Sequence, residues 1–148
     1  MTTVVKKATP AALAVLRQAT ALCPSRNRAS DGLLPSAAHI KQNPKSDHNL
    51  GLAVDLTHDP DGGIDCKDIY KKLKKDPRVL YLIHDGRIWS KAKGDRVYTG
   101  WNKHAKHLHI SIKAEYANDT SPWFPWMGEP TLVGKIKAKA TPKPIKKA

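Results

Sequence analysis

Residues 45–59 read KSDHNLGLAVDLTHD, and their second half decides the fold. From Leu52 to Thr57 the side chains alternate in character, and in a strand successive residues point to opposite faces. Leu52, Val54 and Leu56 therefore form an apolar face, while Gly51, Ala53, Asp55 and Thr57 form one that is small apart from a single carboxylate. A core belongs beneath such a strand, with open space above it. Residues 104–112, HAKHLHISI, repeat the design. Leu108, Ile110 and Ile112 make the core side of a strand at 107–113, and His107, His109, Ser111 and Lys113 make the other.

His48 precedes the first strand, seven positions before Asp55. Fully extended, that separation spans ~24 Å, so the chain must fold back if the two are to share an ion. Asn49 and Gly51 permit such a turn. His48, Asp55 and His109 can then converge on one cation. Two imidazoles and a carboxylate with a fourth position open are what a catalytic zinc site requires, at bond lengths of about 2.0–2.2 Å. Zinc so held lowers the pKa of its water towards about 7, which makes a nucleophile at neutral pH. His107, two residues before a ligand on the same face, is placed to act as general base or to stabilise a developing oxyanion. A lone strand histidine is usually a surface or hydrogen-bonded residue. The combination of SxHxxGxAxD with a later HxH is what points to metal.

At 148 residues the chain is about one domain long. A hydrophobic fraction of 40% suits one modest core, and with only 6% aromatics that core must be built mostly from Leu, Ile, Val and Ala. No run approaches the roughly 20 apolar residues that span a bilayer. The net charge of +13 implies an anionic partner, for which nucleic acid, acidic lipid and an acidic wall polymer all qualify. Much of that charge sits at the end, on Lys135, Lys137, Lys139, Lys143, Lys146 and Lys147. A nucleic-acid binder more often concentrates charge on a folded face with stacking aromatics, so specific nucleic-acid binding is not expected. Cys23 and Cys66 are too few for a disulfide framework and lack CxxC spacing; they read as two thiols, with a single disulfide as the alternative.

Residues 1–9 form an N-terminal arm. Pro10 opens a helix that runs to about Leu22, and Pro24 ends it. Arg17 and Gln18 interrupt the apolar run after Lys6 and Lys7, so an amphipathic helix is expected and not a signal peptide. Residues 24–47 make a long loop with one helical turn near Ser36–Ile40. Asp65 caps a helix over Cys66–Lys75; RVLYLIHD (78–85) is a strand, Asp85-Gly86 a hairpin turn and RIWS its return. A polar loop containing Gly94 and Gly100 leads to the strand at 107–113. The expected domain covers 10–128, followed by a flexible basic tail at 129–148. DPDGGID (59–65) lacks EF-hand spacing and reads as a turn plus the helix cap. His58 and His84 are expected at the surface.

The stretch Ser46–Asp55 together with His107-Leu108-His109 resembles the zinc D-alanyl-D-alanine carboxypeptidase and L-alanyl-D-glutamate peptidase group, whose wider fold relatives include lysostaphin-type enzymes and the hedgehog signalling domain. SRNRASDG (25–32), AAHIKQNPKSDHN (37–49), VDLTHDPDGGID (54–65), DPRVLYLIHDGRIWS (76–90) and YTGWNKHAKHLHISI (98–112) are similar to a phage-encoded version found in lysis or virion proteins of actinobacterial phages. The resemblance covers roughly 25–113. It implies an α+β fold with a small antiparallel sheet flanked by helices and a single zinc site, with His48, Asp55 and His109 as ligands and His107 as catalytic partner. Related enzymes with an ExxH motif use Glu as the base; here the glutamates are Glu115 and Glu129, both after the HxH, so His107 inherits the role.

Arg26 matches a basic position of the phage group, where a guanidinium fork suits a substrate carboxylate or oxyanion. Asp31 and His39 fall on matching positions, and with Ser46 they are candidates to hydrogen-bond the ligand imidazoles from behind. His104 is a candidate lining residue. Tyr98 and Trp101 are placed to wall a groove, and Trp89 to pack. The implied activity is hydrolysis of the peptide part of peptidoglycan by a monomer made in the host cytoplasm without a signal peptide. It would act at the cell wall after release or as a virion component, its tail adhering to anionic wall polymers. The alternative is a metal-stabilised wall-binding module without catalysis. A basic nucleic-acid binder comes third, and nothing in the histidine pattern favours it.

Overall fold

Thr9 and Pro10 start the first element. The Thr9 hydroxyl accepts from the Ala12 N–H at 3.3 Å, and Pro10 occupies a first-turn position where a missing N–H costs nothing. Helix α1 runs over Pro10–Leu22. The structure, a computed structural model, describes residues 8–33, 50–100 and 103–128. Helix α2 spans Cys66–Leu73, with the Asp65 carboxylate accepting from the Lys67 and Asp68 N–H groups as its cap. There are five strands among the described residues: β1 (Ala53–Thr57), β2 (Val79–His84), β3 (Arg87–Ser90), β4 (Gly94–Val97) and β5 (His107–Ile112). They form one antiparallel sheet in the order β1-β5-β2-β3-β4. The fold is a small α+β one.

One face of this sheet carries the core. Val54 and Leu56 of β1, Leu82 of β2 and Leu108, Ile110 and Ile112 of β5 cluster with Ala11, Ala12, Val15 and Ala19 of α1 and with Ile69 and Leu73 of α2. Alanine on the buried stripe of α1 lets that helix lie close to the sheet. Fully burying each larger aliphatic contributes about 1.5–3 kcal/mol, so the pattern of alternation, more than helix propensity, holds the layers together. Trp123 and Phe124 close the cluster from the C-terminal side. Two buried polar groups anchor that segment. The Gln18 amide donates to the Thr120 carbonyl and accepts from Trp123 N–H, at 3.0 and 2.8 Å. Arg78 lies 3.6 Å from the Trp123 ring centre and donates to the Ser121 and Pro122 carbonyls and to Asp76.

The hairpin turn falls on Asp85 and Gly86, both with positive φ (45° and 79°), as a two-residue turn between twisted strands requires. Three expectations need correction. β4 lies where a polar loop is predicted: its sequence GDRV has one apolar residue, which suffices for an edge strand because only one flank needs a partner and charge discourages a further one. His84 is buried and not at the surface, for a reason given below. Helix α2 stops at Leu73, short of Lys75. The predicted turn near Ser36–Ile40 and the basic tail lie outside the described residues. Both cysteines are free. Burial pushes the Cys66 thiol up to about 12 and also raises that of Cys23, so neither is poised as a reactive thiolate. No helix among the described residues is long and apolar enough to cross a membrane.

Candidate metal and catalytic site

The register of β1 against β5 builds the site. Asp55 stands directly opposite His109, Thr57 opposite His107 and Ala53 opposite Ser111, all on the face away from the helices. Directly opposed side chains have Cβ atoms about 4.5–5.5 Å apart, close enough to interact. Asp55 Oδ1 lies 3.2 Å from His109 Nδ1 and 3.6 Å from His107 Nε2. The side chains of Asp55 and His107 are 20% and 16% exposed, so solvent reaches the carboxylate, whereas His109 at 6% forms the floor.

His109 is held at both nitrogens. Nε2 lies 2.8 Å from Ser111 Oγ, and the ring stacks on Tyr81 with centroids 5.4 Å apart and planes 16° from parallel. A hydroxyl donates or accepts, so Ser111 can serve either tautomer. With Nδ1 protonated, His109 donates to Asp55. With the proton on Nε2, two lone pairs face each other across 3.2 Å and call for a cation between them. That separation suits a metal: with bonds of about 2.0–2.2 Å, two ligand atoms of a tetrahedral shell stand roughly 3.3–3.6 Å apart. Imidazole nitrogen and carboxylate oxygen are donors zinc accepts. Among the described residues no group of three or more His, Cys, Asp or Glu closes on such a point. His48, the remaining predicted ligand, lies outside the described residues, as do His39, Ser46 and Trp101.

His104 joins the cluster, its ring 5.0 Å from that of His107 and 5.6 Å from that of His109, with Tyr98 edge-on at 5.5 Å. Its φ of 59° is a left-handed conformation that a non-glycine residue holds at a cost of about 1–3 kcal/mol. What holds it is His84. The Nδ1 of His84 lies 3.1 Å from the His104 carbonyl and 2.9 Å from the His107 carbonyl. Both partners only accept, so Nδ1 must carry the proton and donate to both. The Asp85 N–H also donates to the His104 carbonyl, at 3.2 Å. His84 is therefore a clamp on the loop that presents two site histidines. Replacing it with alanine takes this donor from the His107 carbonyl, leaves the His104 carbonyl with the Asp85 N–H alone, and should destabilise the protein by about 1–3 kcal/mol. Denaturant unfolding at unchanged slope would show a lower midpoint; an unchanged midpoint would refute the clamp.

Among the described residues, Arg26 and Asp31 pair with each other and not with a histidine. All five guanidinium N–H donors of Arg26 have protein partners: Thr20 Oγ1, the Asn27 and Leu16 carbonyls, and both oxygens of Asp31 at 3.0 and 2.7 Å. The side chain is 0% exposed, so no N–H is left for a substrate. The Asp31 carboxylate also accepts from the Thr57 N–H and hydroxyl. Beside it, Gly32 exchanges two backbone hydrogen bonds with Asp55, at 2.8 and 3.1 Å. A Cβ on Gly32 would sit 3.3 Å from Asp55 Oδ2, so glycine gives the carboxylate its room. This pair therefore braces the backbone of the site aspartate. Arg26 was expected at a substrate carboxylate or oxyanion and Asp31 behind a ligand imidazole; instead the two pair with each other.

Tyr81 and Ser111 are the functional contributors missing from the sequence reading. Ser111 is two residues after His109 and so on the same face, a signal that strand periodicity carries. Tyr81 reaches His109 only through the β2–β5 pairing, which local pattern does not specify. Set against protein-family profiles, curated proteins and solved structures, the chain matches none.

Proposed function

We propose that the protein is a zinc-dependent peptidase that cuts an amide bond in the peptide part of peptidoglycan, on a fold of the hedgehog and D-alanyl-D-alanine peptidase type. The observation that carries this reading is the meeting of Asp55, His109 and His107 on one partly open sheet face, with 3.2 Å between the first pair. Asp55, His109 and His48 would hold the ion. Zinc bound by such a set supplies polarisation of the scissile carbonyl and acidification of water. His107 accepts the proton of the attacking water and returns it to the amine nitrogen as the C–N bond breaks, so one water is consumed and an amine and a carboxylate are released. Ser111 and Tyr81 keep His109 in orientation, and His84 fixes the loop carrying His104 and His107. Arg26 acts only through the backbone of the Asp55 strand.

Peptidoglycan as substrate rests on the motif resemblance and agrees with the net charge of +13, which favours anionic walls. The reading extends to a phage lysis or virion protein whose basic tail adheres to wall polymers. The test is digestion of purified bacterial wall with the zinc-loaded chain, with and without a chelator, followed by mass spectrometry of new termini. New amino and carboxyl termini that vanish with chelator and return with zinc are expected. Wall binding without new termini would instead make the chain a non-catalytic module, and cleavage indifferent to chelator would exclude a metal mechanism.

A further inference from the structure

The face that carries the histidines continues into a cleft of about 620 Å³, a size typical of ligand sites. Leu80 and Tyr81 line its apolar part, and Lys91, Lys93, Arg96 and Lys113 are the charged residues of its wall. An irregularity in the β2–β5 ladder between Val79 and Tyr81 turns Leu80 outward, where it is 44% exposed. Among the described residues no acid lines the cleft, and none of the four cations enters an ion pair. The acid of β4, Asp95, is occupied elsewhere by Lys74 and Arg87. The cleft adjoins the site directly: Tyr81 lines it and stacks on His109. Lys113 continues the row of β5 side chains formed by His107, His109 and Ser111.

We propose that this cleft is the subsite for an acidic stretch of the peptide substrate, an inference that rests on the peptidase reading above. Lys113 follows His109 by four strand residues, or ~13 Å, which an extended peptide covers in about four residues. A carboxylate three or four residues from the reacting bond thus meets Lys113 and Arg96, while aliphatic side chains settle on Leu80 and Tyr81. Charge decides the occupant: a cleft whose described wall carries four cations and no acid repels basic peptides and gains little from neutral ones.

Two arms test this with the full-length, zinc-loaded chain. In the first, fluorescence anisotropy compares a fluorescein-labelled Ala-Glu-Ala-Glu-Ala peptide with its Gln counterpart. The acidic probe should bind more tightly, and Arg96→Glu with Lys113→Glu should weaken it about tenfold or more, as two reversed charges imply. Lys91→Gln with Lys93→Gln, both in an exposed turn, provides a second variant whose folding is not in question and should weaken binding in the same direction. Lys67→Glu with Lys71→Glu changes net charge as much on the exposed side of α2, across the sheet from the cleft, and should have no such effect. Equal binding of the two probes, or equal loss in the distant control, overturns the proposal. In the second arm, wall hydrolysis by the cleft variants should show raised KM at unchanged kcat. Absence of hydrolysis by the unaltered chain would sink the peptidase reading while the first arm still decides the cleft's preference.

Discussion

Asp55→Ala is expected to strip the protein of zinc and reduce wall hydrolysis to background, with the fold intact. Asp55 contributes the one carboxylate that His109 and His107 both approach, at 3.2 and 3.6 Å. A hydrogen-bond partner of a metal ligand is commonly worth ~10–100-fold in affinity, so removing the ligand itself should exceed that range. Ser111→Ala, which loses only the contact to His109 Nε2, should fall within it. The fold should survive because β1 is held by other means: Val54 and Leu56 stay in the core, and the two backbone bonds to Gly32 do not involve the carboxylate. Circular dichroism together with zinc analysis of the variant checks both halves of this expectation. Loss of zinc with loss of fold would assign Asp55 a structural role, and zinc retained at full occupancy would remove it from the site.

His107→Ala should behave differently. It is expected to keep zinc and fold and to lose about 10²–10⁴-fold in kcat, the usual contribution of a positioned acid–base group, with little change in KM. The contrast follows from placement. His109 is almost wholly buried and held by Ser111 and Tyr81, as a ligand needs to be, while the more exposed His107 stands where a substrate and its water can reach it. Its distance from Asp55 makes the experiment informative in both directions. Zinc loss equal to that of Asp55→Ala would make His107 a ligand, and unaltered turnover would leave the chain a binding module.

Much of the fold was legible because its signals are local. Thr9 and Pro10, Asp65, and Asp85-Gly86 each act within a few residues, so the start of α1, the cap of α2 and the hairpin turn fall where predicted. The two-residue period assigned the faces of β1 and β5, and with them the side on which Asp55, His107 and His109 meet. What escaped depends on distant pairing or on exposure. β4 is polar because it is an edge strand, and its sequence cannot be told from a loop until β3 is beside it. His84 looks like any strand-end histidine; only the return of the chain at His104 and His107 gives its Nδ1 proton two carbonyls and buries it. Arg26 carried the chemistry of a substrate clamp, and nothing in its neighbourhood of the sequence ranked Asp31 above a ligand as its partner. Tyr81 needed the non-sequential β2–β5 neighbourhood.

Metal analysis of the chain, purified with neither chelator nor added metal and then supplied with zinc, tests the central claim most directly. The expected result is about one zinc per chain, lost on replacing His48, Asp55 or His109 with alanine. A chain that takes up no zinc, or three variants that all hold it as firmly as the parent, would contradict the site.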